Sequence, residues 1–103
     1  MHVRAENKGQ TLYLIVSGEI DEHSVAKARI AIDKLVEEQV GRIDGIVFDF
    51  DGVSFMDSTG IGFLIGRYKK ISRYGIPVYI TGSSAATDRI LKMSGIYTII
   101  PKI

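Results

Sequence analysis

Short runs of strand-forming residues alternate with longer segments of helical period, and this alternation constrains the fold of the chain more than any other feature. An opening hairpin and three further β-rich runs predict strands at 3–6, 11–16, 46–50, 78–81 and 97–100. Apolar residues at helical spacing predict helices at 23–38, at 58–74 and from Ser83 or Ser84 through Met93. The order β-β-α-β-α-β-α-β predicts an α/β fold, with a mixed, mostly parallel sheet of about five strands and helices packed on it.

Length and composition predict one ordinary globular domain spanning residues 1–103. Hydrophobic residues make up 46% of the chain and charged residues 24%, which is typical of a folded domain. The chain has no cysteine, and this excludes disulfides, zinc ribbons and thiol catalysis. No apolar run approaches the ~20 residues of a membrane span, and the N-terminus lacks a signal-peptide pattern. We therefore expect a cytoplasmic protein with no membrane partner.

The net charge of +1 gives no reason to expect direct nucleic-acid binding. The two halves of the chain nevertheless differ in charge. Residues 1–52 hold six Lys/Arg and ten Asp/Glu, a balance of −4, whereas residues 53–103 hold seven and two, a balance of +5. This asymmetry either gives the domain an acidic and a basic side that steer a protein partner, or only reflects which faces are solvated.

Functional loops in such sheets follow the carboxyl ends of the strands, which here are residues 18–23, 51–59 and 82–84. The second of these loops ends in Asp57-Ser58-Thr59-Gly60 at the predicted start of the second helix. Serine is a preferred N-cap residue, so helix capping is one interpretation of Ser58. A nucleophile elbow is excluded as the other interpretation, because Met56 stands where that motif requires a glycine.

A helical wheel predicts which face of the second helix is buried. The apolar stripe comprises Ile61, Leu64, Ile65, Tyr68 and Ile71, and Phe63 points the opposite way, to solvent. An exposed aromatic beside three glycines, which are costly in a helix, favours a contact surface. We therefore expect the partner surface to combine the start of this helix with the loop after the second strand, through Asp21, Asp57, Ser58, Thr59, Gly62 and Phe63. For Asp21, capping of the first helix is an alternative.

Two catalytic interpretations also fit parts of the sequence. Phe48-Asp49-Phe50-Asp51-Gly52-Val53 resembles the aspartyl box of haloacid-dehalogenase-type phosphatases. Asp88 is the only acidic residue after Thr81, however, so the magnesium site of that family cannot be completed. A Ser58–His23 dyad lacks a third member and the glycine elbow of serine hydrolases. A small-ligand sensor domain is a further alternative.

The run from Val53 to Gly62, continued by Gly66-Arg67-Tyr68-Lys69-Lys70, resembles the STAS-domain anti-sigma factor antagonists, and in particular their sporulation branch. Gly18-Glu19-Ile20-Asp21 is similar to that family's loop after the second strand, and 92–96 and 99–101 are similar to its C-terminal end. The resemblance spans nearly the whole chain.

This resemblance implies a switch protein that is not an enzyme and needs no cofactor. The unphosphorylated form is expected to bind an anti-sigma factor that is also a serine kinase, and so to release a sigma factor. The kinase would then phosphorylate Ser58 and end the binding, and a serine phosphatase would reset the switch. A phosphate at this helix start is expected to meet free backbone N–H groups and the positive end of the helix dipole.

Overall fold

The computed structural model describes residues 1–103 and contains four strands, three α-helices and one 3-10 turn. The elements are β1 (His2–Lys8), β2 (Thr11–Ile20), α1 (Val25–Gln39), β3 (Gly45–Met56), α2 (Thr59–Ser72), β4 (Val78–Thr81), α3 (Ala85–Ser94) and the 3-10 turn (Ile96–Thr98). The sheet order is β1-β2-β3-β4, with β1 antiparallel to β2 and the other two pairs parallel. The predicted α/β class and mixed, mostly parallel sheet are confirmed.

The predicted fifth strand at 97–100 is wrong, because this segment begins in a 3-10 turn. Ile96 and Ile100 are both buried, and the amide of Ile100 donates to the carbonyl of Ile96 at 2.8 Å. In a helical turn, residues four apart lie on the same side. In a strand, every second residue lies on the same side, so burial of Ile96 and Ile100 would also bury Thr98. The sheet is extended beyond β4 by a single parallel bridge between Ile80 and Lys102.

The middle strands β2 and β3 are longer than predicted, and residues 51–56 are strand where a loop was expected. The pairing skips from Ile15↔Asp49 to Ser17↔Gly52, which marks a β-bulge. The Asp49 carboxylate accepts the amide of Asp51 at 3.0 Å inside this bulge. Polar and glycine residues that read as a turn in the sequence therefore bend a continuous strand instead of ending it.

The hydrophobic core lies between one face of the sheet and the helices. Right-handed crossovers between parallel strands place α1 and α2 on the same face. Phe48 and Phe50 of β3 are fully buried and pack edge to face, with ring centroids 6.3 Å apart. Val47 is 2% exposed but lies outside the core cluster, because neighbouring strand residues point to opposite faces.

Ion pairs between α1 and α2 account for part of the charge asymmetry in the sequence. Arg67 Nε lies 2.9 Å from Asp33 Oδ1, and Lys70 Nζ lies 3.5 Å from Asp33 Oδ2 and 2.7 Å from Glu37 Oε1. Acidic residues of the first half thus neutralise basic residues of the second. None of the three helices is long and apolar enough to cross a membrane.

A polar cluster around Asp88 fastens the C-terminal end of the chain to α3. Asp88 Oδ1 accepts from the Tyr97 hydroxyl at 2.6 Å and from Lys102 Nζ at 3.0 Å, and Lys92 Nζ lies 3.1 Å from Oδ2. The hydrogen bonds from Tyr97 and Lys102 hold the pKa of the Asp88 carboxyl well below its usual range. Burial and the Asp88 carboxylate together raise the pKa of Tyr97 to about 12.

Candidate functional site

The structure brings together the two loops from which the sequence predicts a partner surface. Ile20 and Met56 are paired in the parallel β2–β3 ladder, and the amide of Asp57 donates to the carbonyl of Ile20 at 3.3 Å. Asp21 and Asp57 therefore lie side by side, each directly after the end of one of two neighbouring strands. The loop after β2 and the start of α2 form one continuous edge of the molecule.

Asp57, and not Ser58, caps α2. Ser58 already has helical dihedral angles, φ −62° and ψ −19°, and its side chain makes no capping hydrogen bond. The Asp57 carboxylate instead accepts the amide of Thr59 at 2.9 Å, which is the bond an N-cap side chain makes to the second helical residue. The capping interpretation of Ser58 is therefore wrong. Its hydroxyl is exposed and has no part in the hydrogen bonding of the helix start.

The amides of Thr59, Gly60 and Ile61 at the start of α2 are already occupied, so fewer N–H groups are free there than expected. Besides the bond from Thr59, the amide of Gly60 donates to the Asp57 carbonyl and that of Ile61 to the Ser58 carbonyl. A phosphate on Ser58 would meet the positive end of the helix dipole but would compete with the Asp57 carboxylate for it.

Asp21 caps the turn that leads into α1, as the alternative interpretation predicts. Its carboxylate accepts the amides of His23 at 3.0 Å and Ser24 at 3.1 Å. The Ser24 hydroxyl in turn accepts the amide of Asp21 at 3.0 Å. This network connects the end of β2 to the start of α1 and leaves the Asp21 side chain half-buried.

Phe63 is buried, and the predicted outward orientation of this residue is wrong. It is 6% exposed and belongs to the hydrophobic core, and the Arg67 guanidinium lies over its ring, 5.9 Å from the centroid. The buried face of α2 is rotated by roughly the 100° of one residue from the predicted stripe. The cause is α1, which covers the side of α2 that carries Phe63 and Arg67, next to the side that the sheet covers.

A groove of about 480 Å³ runs between α1 and α2, next to Ser58. All three of the predicted site residues on α2, which are Thr59, Gly62 and Phe63, line it. The sequence analysis missed the remaining lining residues. They are Val25, Ala26 and Arg29 of α1, and Gly66 and Arg67 of α2.

The three glycines of α2 have different structural roles. A Cβ atom on Gly60 would overlap the Met56 side chain and lie 3.3 Å from Ile20 Cγ2, so packing requires a glycine there. A Cβ on Gly62 or Gly66 would meet nothing within 4 Å. Neither of these two has the positive φ that favours glycine. The absence of a side chain at these two positions keeps the groove open instead of serving the fold.

Of the residues in the catalytic alternatives, Asp49 has a structural role and His23 is exposed. Asp49 stabilises the bulge in β3, and the chain has no cluster of three or more His, Asp or Glu side chains that could hold a metal ion. The exposed imidazole of His23 lies 3.7 Å from the Glu22 carboxylate. The small-ligand sensor stays a hypothesis, which calorimetric titration with nucleotides would test.

Comparison with known proteins identifies the class to which this fold and site belong. The sequence model of the STAS domain matches residues 2–103. The chain therefore belongs to the STAS domain family.

Its relatives define the group within that family. The Anti-sigma F factor antagonist of Paenibacillus polymyxa is 30% identical over 101 residues, which cover 98% of this chain and 85% of that protein. The anti-sigma factor antagonist SpoIIAA, solved in its unphosphorylated form, superimposes with a TM-score of 0.79 at 23% identity over 99% of this chain and 88% of SpoIIAA. The phosphorylated form of the Bacillus protein gives a TM-score of 0.71 at 23% identity, over 99% and 91% of the two chains. This chain is accordingly a STAS domain of the anti-sigma factor antagonist group.

Proposed function

We propose that this STAS domain is a phosphorylation-switched binding module, and not an enzyme, whose unphosphorylated form binds an anti-sigma factor that is also a serine kinase. Binding releases a sigma factor, phosphorylation of Ser58 ends the binding, and a serine phosphatase restores it. The relative named as an anti-sigma F factor antagonist and the phosphorylated form of SpoIIAA support this proposal and favour the sporulation branch. Because a sigma factor acts in transcription, we expect this exchange to take place in the cytoplasm.

The exposed Ser58 hydroxyl, which α2 does not use for capping, is the observation on which the proposal rests. A kinase can reach this oxygen without unwinding the helix, because Asp57 holds the first turn. Thr59 is the neighbouring alternative acceptor, but it is half-buried and lines the groove.

Phosphate on Ser58 would act through local charge and bulk. It adds about −1.5 to −2 charge beside the Asp57 carboxylate. Pressed against a desolvated partner surface, such an unpaired charge costs several kcal/mol, and about 3 kcal/mol already lowers affinity more than a hundredfold. Ser58→Asp, with about half the charge of the phosphate, should weaken binding less than phosphorylation does.

Incubation with the anti-sigma factor kinase of the same organism and ATP tests the proposal. Mass spectrometry should find one phosphate per chain, with peptide mapping placing it on Ser58, and Ser58→Ala should accept none. Ser54→Ala, which removes an exposed hydroxyl from the adjacent strand, is the matched control and should be phosphorylated normally. A phosphate mapped to Thr59 or Ser54 would contradict the assignment.

Amide chemical shifts measured by NMR test whether phosphorylation acts locally. Amide shifts on phosphorylation should be confined to residues near 21–24 and 54–66, together with loss of kinase binding. Shifts spread through the strands and α3 would indicate a conformational switch instead.

A further inference from the structure

The groove between α1 and α2 carries more positive charge than its own carboxylates neutralise. Arg29 and Arg67 both line it. Arg67 is paired with Asp33, and Lys70 lies between Asp33 and Glu37, so the excess positive charge at the groove is that of Arg29. Arg29 is exposed and makes no ion pair with any carboxylate of the chain.

The Arg67 guanidinium is fixed at the groove and incompletely satisfied. The residue is 7% exposed, and its Nε has no well-aligned hydrogen bond despite the nearby Asp33 oxygen. Burial lowers the pKa of Arg67, the Asp33 carboxylate raises it, and the like charge of Arg29 lowers it again. Two arginines that repel each other across an open groove favour an anion between them.

The shape of the groove admits a side chain from a docked protein. Gly62 and Gly66 leave part of its α2 wall without side chains, although glycine is less favourable than alanine in a helix. Phe63 and Val25 make part of the lining apolar, which suits the methylene stem of an acidic side chain. Thr59 and Gly62 belong both to the groove and to the surface around Ser58, so the two are continuous.

We propose that this groove binds an Asp or Glu side chain of the partner, held by Arg29 and Arg67 while the rest of the partner covers Ser58. This inference rests on the proposed function and adds the chemistry of one partner residue. The planar guanidinium groups match a carboxylate in geometry as well as in charge.

Calorimetric titration of the unphosphorylated chain with the anti-sigma factor kinase tests the inference. Arg29→Glu should lower the affinity by about tenfold and reduce its dependence on salt, because one attractive charge becomes repulsive. Lys34→Glu makes the same charge reversal on an exposed position of α1 outside the groove. As the matched control, it should change the affinity less than about twofold.

Gly66→Ala provides a second test that leaves the charges unchanged. The methyl group would enter the groove, so we expect weaker binding by about tenfold together with a melting temperature equal to or above that of the wild type. Binding equal to the wild type in both Arg29→Glu and Gly66→Ala would overturn the inference. Saturation of the Arg29 and Gly66 amide shifts by millimolar inorganic phosphate would indicate a small-anion site instead, and would also overturn it.

The phosphorylation assay separates this inference from the proposed function. If the kinase neither binds nor phosphorylates the wild-type chain, the proposed function fails and the groove inference fails with it. If the wild type is bound and phosphorylated on Ser58 while the groove variants bind equally well, only the groove inference fails.

Discussion

Asp57 and Ser58 have two separate roles, both of which the sequence alone would assign to Ser58. Asp57 supplies the capping carboxylate, and Ser58 presents a hydroxyl outside the hydrogen bonding of α2. Ser58→Ala should therefore change the free energy of unfolding by no more than about 0.5 kcal/mol. Asp57→Ala should lower it by about 0.5–2 kcal/mol through loss of the cap.

Urea denaturation followed by circular dichroism measures both changes, with Asp57→Asn as a further control. Asparagine keeps an oxygen that can accept the Thr59 amide, so the loss should be smaller than for alanine. If Ser58→Ala destabilised the chain as much as Asp57→Ala, Ser58 would be the cap and its hydroxyl would not be free.

Phe63 should behave as a core residue, whatever its part in binding. Because it is buried beneath Arg67, Phe63→Ala should lower the free energy of unfolding by about 3–5 kcal/mol. Phe55 is half-exposed in β3 and provides the matched aromatic control. The cost of Phe55→Ala should be less than half as large, and equal costs in thermal denaturation would contradict the burial of Phe63.

At the scale of the elements, the glycines of α2 predict opposite effects of the same substitution. Gly60→Ala places a methyl group against Met56 and Ile20 and should cost about 1–3 kcal/mol. Gly62→Ala enters open space and should stabilise the fold by about 0.5–1 kcal/mol. Each kcal/mol shifts the melting temperature of a domain near this size by about 4–8 °C, so scanning calorimetry resolves both changes. A destabilising Gly62→Ala would show that this face of α2 is packed.

The elements that could be predicted from the sequence are those with one unambiguous period. Residues 78–81 form β4 as predicted, and Ser84 caps α3 by accepting the amide of Thr87. The extent of β3 could not be predicted, since Asp51 and Gly52 signal a turn, and only the pairing with β2 shows that they form a bulge. The face of α2 was mispredicted because Gly60 and Arg67 do not count as apolar, although both are buried.

The site was predicted in part for the same reason. The convergence of the two loops at Asp21 and Asp57 follows from parallel strand order, which the alternating pattern indicates. The groove depends on how α1 packs against α2, and a single sequence gives no direct signal of that packing. Pairing of acidic residues on one helix with Arg67 and Lys70 on the other was the available clue to the contact.

At the scale of the whole molecule, the Asp88 cluster should make stability depend on acid pH. The folded-state pKa of Asp88 is depressed, so the carboxylate contributes stability above its unfolded pKa of about 4, and this contribution is lost as the pH falls below that value. Asp88→Asn should be less stable than the wild type at neutral pH, and the difference should shrink in acid.

Melting temperatures of the wild type and Asp88→Asn, measured from about pH 7 down to about pH 2.5, show whether the difference in stability shrinks. Asp44→Asn removes an exposed carboxylate that makes no ion pair, and it serves as the control. Its difference from the wild type should stay constant over the range. A constant difference for Asp88→Asn as well would mean that the cluster does not act through the charge of Asp88.

The Ser58 hydroxyl takes no part in the hydrogen bonds of α2, and this also affects the degradation rates of the phosphorylated and unphosphorylated forms. Cellular proteases degrade chains in proportion to their unfolded fraction. Modification of the Ser58 oxygen breaks no hydrogen bond of the fold, and the phosphate would meet the positive end of the α2 dipole, so we expect both forms to turn over at nearly the same rate. The ratio of modified to unmodified chains would then record only the recent balance of kinase and phosphatase, and a single pool of protein could pass through many cycles without new synthesis.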